Sequence, residues 1–289
     1  MKRRAVATLA VLALVAAGCH SKSKPPPAPG KPNASVVVTR DFGTRALLDR
    51  TVAPGQTVMA ALRSVARIDT RYGGRFVQSI DGISGSLTRT RDWTYFVNGL
   101  EARVGATEVT LHAGDRVWWD FHLWADLPTV PAVVGSFPEP FVHGTGRPAR
   151  PVEVRGSAAL LAALRTAGAR AGTAASPWRV LVGSDGVLRR DAAYRQATGS
   201  PLGQGLTVSM RDGHVVGYVG SGTLAPLPGA RAAIFAIRSG GGATLYVAGV
   251  DAAAATAAAS ELATHPAIAQ HRYAIALDAK GHVVAQVRG

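Results

Sequence analysis

The sequence predicts an α+β protein: a small domain of one helix on a curled, mainly antiparallel sheet, then a second α/β domain with β-α-β units. Three observations carry that prediction. Strand-like runs are divided by turn dipeptides such as Asp81-Gly82, Asn98-Gly99 and Asp212-Gly213; Asn-Gly tolerates positive φ at both central positions of a type I′ turn. Four of the five tryptophans lie between Trp93 and Trp124, in runs that alternate with period two. Beyond residue 150, runs with helical spacing alternate with β-rich ones, the pattern of an α/β domain. A length of 289 residues suits two domains of about 100–200 residues each.

The chain opens with Lys2, Arg3 and Arg4, then an apolar run of twelve residues from Ala5 to Ala16. That run is too short to span a bilayer, for which ~20 residues are needed, so residues 1–18 read as an export signal. Leu14-Val15-Ala16-Ala17-Gly18-Cys19 resembles the lipobox of bacterial lipoproteins. The resemblance implies a diacylglycerol thioether on Cys19, cleavage before it, and acylation, for instance by palmitate, of the new amine. Two or three acyl chains anchor a protein stably, where one is marginal. The alternative is an ordinary secretory signal with an incidental cysteine. Cys19 is the only cysteine of the chain, so with a lipobox the mature protein has no free thiol, disulfide or thiolate metal site. The expected location is the outer face of the cell membrane. Residues 19–34, with Pro25-Pro26-Pro27, Pro29, Pro32 and three lysines, form an extended, semi-rigid tether.

Residues 35–127 form the first domain. Val36–Thr39 is a strand, Asp41–Thr44 a turn, and Ala46–Val52 its returning partner. Thr57 is an N-cap, and the spacing of Val58, Met59, Ala61, Leu62 and Val65 makes one face of a helix over Val58–Ile68. Arg75–Ile80 is a strand turned by Asp81-Gly82. In Trp93–Val97, Trp93, Tyr95 and Val97 share one face. The Asn98-Gly99 turn leads to Leu100–Val104, Val109–Leu111 follows, and Gly114-Asp115 turns into the last strand. There Val117, Trp119, Phe121 and Leu123 share one face; Trp118, Asp120, His122 and Trp124 share the other. One helix on such a sheet is a β-grasp-like plan. Trp93, Tyr95 and Trp119 read as core, and Asn98, Gly99, Gly114 and Asp115 as turn residues.

Four motifs stand in order: T-V-x-x-A-L (Thr57–Leu62), S-I-D-G (Ser79–Gly82), W-x-Y-x-V-N-G (Trp93–Gly99) and G-D-x-V-x-W (Gly114–Trp119). Together they resemble the transcobalamin-like C-terminal domain family, a β-grasp-type module of bacterial surface lipoproteins and vertebrate cobalamin carriers. The resemblance covers about a third of the chain. It implies the fold and export, and it raises a corrinoid such as cobalamin as a ligand; the all-helical barrel of the cobalamin carriers has no counterpart here. Trp118, Asp120, His122 and Trp124 are the candidate ligand-binding residues, because an exposed aromatic face marks a binding surface. Cover by the second domain is the alternative, and both stay open. Two ligands on one strand are too few to indicate a metal.

Residues 128–150 are a Pro/Gly-rich connection in which Val133, Val134, Phe137, Phe141 and Val142 are able to pack. In residues 151–289, Val152–Val154 and Trp178–Val182 are strands around a helix over Ala158–Ala167 capped by Ser157. Leu188–Ala197 is helical, and Leu206–Met210 pairs with Val215–Val219. Ala232–Ile237 and Thr244–Val250 are strands, Asp251 caps an Ala-rich helix to Thr264, and Tyr273–Leu277 pairs with His282–Val287. No family is recognised in this half.

Net charge is +14 from 27 arginines, 5 lysines and 18 acids. Residues 36–126 hold eleven arginines against ten acids, whereas residues 147–289 hold fifteen basic groups against seven. The excess therefore lies in the tether and the second half, where it suits polyanionic wall polymers; nucleic acid is not an expected partner outside the cell. No Gly-x-Ser-x-Gly, His-Glu-x-x-His or P-loop pattern occurs, so nothing asks for an enzyme. The expected function is non-catalytic binding of an extracellular ligand or envelope protein by a membrane-anchored lipoprotein. Attachment to wall polymers through the basic half, or an envelope enzyme built on it, are the alternatives.

Overall fold

Turn chemistry and side-chain alternation set the register of the first sheet in the computed structural model, which describes residues 33–145, 150–239 and 241–285. The expected export signal, the Cys19 lipobox and nearly all of the tether lie outside these residues. The first half runs β1 (Ala34–Arg40), β2 (Arg45–Val52), α1 (Val58–Arg63), β3 (Ile68–Arg71), β4 (Phe76–Ile80), β5 (Ile83–Ser84), β6 (Arg91–Val97), β7 (Leu100–Glu101) and β8 (Arg116–Leu123). Strands β3, β4 and β5 form a small sheet, and the main sheet has the order β2-β1-β8-β6-β7. Within it β1 and β8 are parallel and the other pairs antiparallel. Asn98 and Gly99, with φ of 51° and 78°, turn β6 back into β7 as their dipeptide requires.

Thr57 Oγ1 accepts from the Ala60 N–H at 3.1 Å and so caps α1. The helix lays Val58, Met59, Ala61 and Leu62 on one face of the sheet, against Val36, Val38, Trp93, Tyr95, Val117, Trp119 and Phe121. Tyr95 and Trp119 stack with centroids 4.7 Å apart. The helix stops at Arg63 rather than running to Ile68. Ser64 closes it by donating its N–H to Ala60 O, and Ile68 instead pairs with Ile80 across β3 and β4. A long-range strand pair here outweighs the local helical spacing.

The second half contains β9 (Val152–Arg155), α2 (Ala158–Thr166), β10 (Trp178–Ser184), α3 (Asp185–Leu188), α4 (Ala192–Gly199), β11 (Val208–Arg211), β12 (His214–Gly220), β13 (Thr223–Pro226), β14 (Ala232–Ser239), β15 (Gly242–Gly249), α5 (Ala252–Thr264), β16 (Ile275–Leu277) and β17 (Val283–Ala285). Six strands form one sheet in the order β17-β16-β14-β15-β10-β9, and β11, β12 and β13 form another. β9-α2-β10 is a parallel unit of adjacent strands. β14 runs antiparallel to both β15 and β16, so the second β-α-β unit, β15-α5-β16, crosses over an intervening strand. Leu160, Leu164, Ala255, Ala258, Ala259 and Leu262 of α2 and α5 cover one face. Leu188, Tyr194, Val208 and Met210 cover the other, over Leu181, Phe235 and Tyr246.

Ser157 and Asp251 cap α2 and α5 as expected, each accepting from an N–H three residues on. The single helix expected over Leu188–Ala197 is two. Asp191 accepts from the Tyr194 N–H at 3.1 Å, so it starts α4 as an N-cap rather than continuing α3. The connection from residue 128 packs: Val130, Val133, Val134 and Phe141 are buried. The described residues form one compact unit, and Leu100, Ala132 and Val134 belong to the same apolar cluster as the six-stranded sheet. The observed architecture is the mixed α+β class expected from the sequence.

Candidate functional site

Alternation along β8 sends Trp118, Asp120 and His122 to the face away from α1, and the second half covers them. Their exposures are 1%, 0% and 2%; the choice left open between an exposed and a covered face falls to the covered one. Trp124 lies just past the strand and is half-buried.

The Asp120 carboxyl sits at the centre of a network. Its Oδ1 accepts from Thr39 Oγ1 and from the Gly43 N–H at 3.0 Å. Its Oδ2 accepts from the Phe42 N–H at 3.1 Å and from the Tyr273 hydroxyl at 3.0 Å. His122 Nδ1 lies 3.1 Å from both Asp120 Oδ2 and the Tyr273 oxygen. Thr39 Oγ1 in turn accepts from Trp118 Nε1 at 2.7 Å. Burial, and then the neighbouring Asp120, push the Tyr273 phenol well above its ordinary range, so it stays a donor. The Tyr273 ring also meets Phe42, Phe96 and Trp118 edge-on at 5.3–5.6 Å. Both Asp120 oxygens are thus occupied, and a ligand reaches them only by displacing Tyr273 or the Phe42–Gly43 turn. Chemically this is a seam between the two halves.

The other residues singled out in the sequence are structural. Trp93 Nε1 donates to Ile83 O at 2.9 Å, and the Tyr95 hydroxyl donates to Val104 O at 2.6 Å. Asn98 Nδ2 donates to Asp115 Oδ1 at 2.8 Å and to Gly144 O at 2.5 Å, tying the connection to the hairpin. Gly114 closes against the His143 ring, where a Cβ would stand 2.5 Å away. Trp119 Nε1 is buried without an acceptor among the described residues.

An open cleft lies elsewhere, where the β7 hairpin and the loop after it meet the end of β14. Its volume is about 390 Å³, and Glu101, Arg103, Glu108, His112 and Arg238 line it together with Leu100 and other apolar residues. Arg238 Nη1 donates to Glu101 O at 2.9 Å, which fixes the guanidinium at the rim. Burial pushes the Glu101 carboxyl up. Burial, and then the nearby Arg103, push the Arg238 guanidinium down. The cleft therefore holds opposed charges whose ionised forms burial disfavours, with Arg238 and Arg103 drawing the Glu101 carboxyl back down. Sequence reasoning did not find it: Glu101 and Arg238 are 137 positions apart, and no local motif joins them. Among the described residues no three His, Cys, Asp or Glu side chains converge on a point able to hold a metal ion. None of their helices is long and apolar enough to cross a membrane.

Residues 55–122, from just before α1 to nearly the end of β8, match a family described as a domain of unknown function, DUF4430. The chain is similar at 13% identity to a crystal structure of a candidate metal-binding protein from Ruminococcus gnavus, with a TM-score of 0.27; the alignment covers 31% of this chain and 95% of that one. No curated protein matches. The family match takes in Asp120 and His122 but leaves out β1 and Tyr273, so the seam is completed by parts of the chain that the family does not describe.

Proposed function

We propose that this chain is an exported lipoprotein, anchored through Cys19, that binds a small extracellular solute in the Glu101–Arg103–Arg238 cleft without reacting with it. The cleft is the observation that carries the reading. Its volume of about 390 Å³ falls within the ~300–1,000 Å³ of small-molecule sites, and it combines an apolar wall with a few charged groups. Two guanidiniums beside two carboxyls suit a zwitterionic or carboxylate-bearing solute, with Arg103 and Arg238 taking the anionic end. The DUF4430 match over residues 55–122, taken with the transcobalamin-like motifs, keeps a corrinoid among the ligands, held by one edge because the volume is at the low end. The Trp118–His122 face serves to join the halves.

A thermal-shift screen of the full chain against short carboxylates, amino acids and cobalamin tests the cleft. A solute that raises Tm saturably should lose its effect in Arg103→Ala and Arg238→Ala. A hit indifferent to both substitutions, or a panel that moves nothing, overturns the cleft assignment. The anchor is tested separately: Cys19→Ser should move the chain from the membrane to the soluble fraction, and unchanged partition would refute it. The second reading, attachment to wall polyanions, is favoured by fifteen basic groups against seven acids in residues 147–289. Such binding weakens steeply with salt, whereas solute binding in a partly desolvated cleft is screened much less.

A further inference from the structure

We infer that Arg116, His271 and Arg272 form a second site, distinct from the cleft, that takes a small tetrahedral oxyanion of the sulfate or phosphate class. Three parts of the chain bring these groups together. Arg116 opens β8, and its side chain lies on the Trp118 face by alternation. Asp49 lies on the same face, because β2 pairs Asp49 with Val37 and β8 pairs Trp118 with Val37. The 271–272 segment closes over them. A Cβ on Gly43 would stand 2.0 Å from His271 O, and one on Gly135 would stand 2.5 Å from the Trp118 ring and 2.9 Å from the Arg272 backbone. Both glycines thus let the segment pack directly on the sheet.

The hydrogen-bond inventory points to a ligand. Arg116 Nη2 and His271 Nε2 are buried and have no hydrogen-bond partner among the described residues. Ser136 Oγ, next in the chain to Gly135, is in the same state. Buried polar groups are nearly always paired, and an unpaired guanidinium N–H is a costly exception. The local acid does not meet the need. Asp49 Oδ2 is 3.7 Å from His271 Nε2, beyond a hydrogen bond, and the Asp49 side chain is 48% exposed. Arg116 and Arg272 both act electrostatically on His271, against the opposing pull of Asp49, so two guanidiniums and an imidazole share one half-exposed carboxylate. A tetrahedral oxyanion, with several acceptor oxygens and negative charge, supplies what Arg116 Nη2 and His271 Nε2 lack, while Arg272, whose Nε already donates to Ile268 O at 2.9 Å, adds positive charge. Burial pushes the Arg116 and Arg272 guanidiniums and the His271 imidazole down from their ordinary values, and Asp49 offsets this only in part for Arg116 and His271.

The test is isothermal titration of sulfate into the full chain in detergent, with sodium chloride at matched ionic strength as the blank. Sulfate keeps its charge across the working range, so its own protonation does not enter. The expected result is saturable binding of one ion. Arg116→Gln should weaken it by about tenfold or more, the loss of one charge-assisted hydrogen bond. His271→Asn should also weaken it, and Asn tolerates the left-handed backbone (φ 58° at His271) that most replacements would strain. Circular dichroism of each variant reports folding. Should Arg116→Gln fail to fold, Arg272→Gln reads the same site from the other segment. Absence of saturable heat in the wild type, or equal affinity in folded variants, overturns the assignment.

Discussion

Replacing Asp120 by Ala should be among the most damaging single changes in the molecule. The carboxyl accepts from the Thr39 hydroxyl, the Phe42 and Gly43 amides and the Tyr273 hydroxyl, and the residue is 0% exposed. Each orphaned buried donor costs about 1–3 kcal/mol. Costs within one network do not add, and a water entering the space would recover part of the loss. A net of about 4 kcal/mol follows, near the upper end for point changes. Tyr273→Phe removes one of those donors and leaves the acceptor otherwise served, at about 1–2 kcal/mol. Urea unfolding followed by tryptophan fluorescence measures both, and the double mutant should be less stable than wild type by less than the sum of the two. A loss below about 1 kcal/mol for Asp120→Ala, or strict additivity with Tyr273→Phe, would refute the account of Asp120 as the centre of a shared network.

Two further outcomes are expected. Gly156 has φ of +86°, and a Cβ there would stand 2.1 Å from Val182 O; Gly156→Ala should cost about 2 kcal/mol or more, against about 1 for Gly213→Ala, where φ is +76° but nothing lies within 4 Å. Burial holds the Glu139 carboxyl above its ordinary 4.5, against the lowering pull of His143. The folded state therefore binds that proton more tightly than the unfolded one, so the contribution is complete below about pH 4.5 and is lost as pH rises through the folded value. Urea midpoints across that range should fall with pH more steeply in wild type than in Glu139→Gln, and identical slopes would contradict the shift.

Much of the first half is legible because its signals are local. Asn98-Gly99 dictates its turn, Thr57 its cap, and period two along β8 sorts Val117, Trp119 and Phe121 from Trp118, Asp120 and His122. The same alternation marked the second set as special without saying what lies on it, since Tyr273 arrives from 153 positions beyond Asp120. Where local and distant preferences compete, the sequence misleads. Val65 and Ile68 extend the helical spacing of α1, yet Ile68 finds a better partner in Ile80. Asp191 sits inside a run with helical composition, and its side chain restarts the helix instead of continuing it. The cleft and the Arg116–His271 junction are built from side chains on separate strands and loops, so no window of sequence contains either.

The parallel pairing of β1 with β8 has a mechanical consequence. β1 is the first strand after the residues that precede Asn33, and it is hydrogen-bonded along its length to β2 on one side and β8 on the other. A pull applied through Asn33 along the strand therefore loads both ladders in shear, with many bonds resisting together, rather than peeling them one at a time. If the proposed anchor at Cys19 holds the chain to a surface, the tether meets a strand bonded on both sides, and a load must break two ladders together to extract β1.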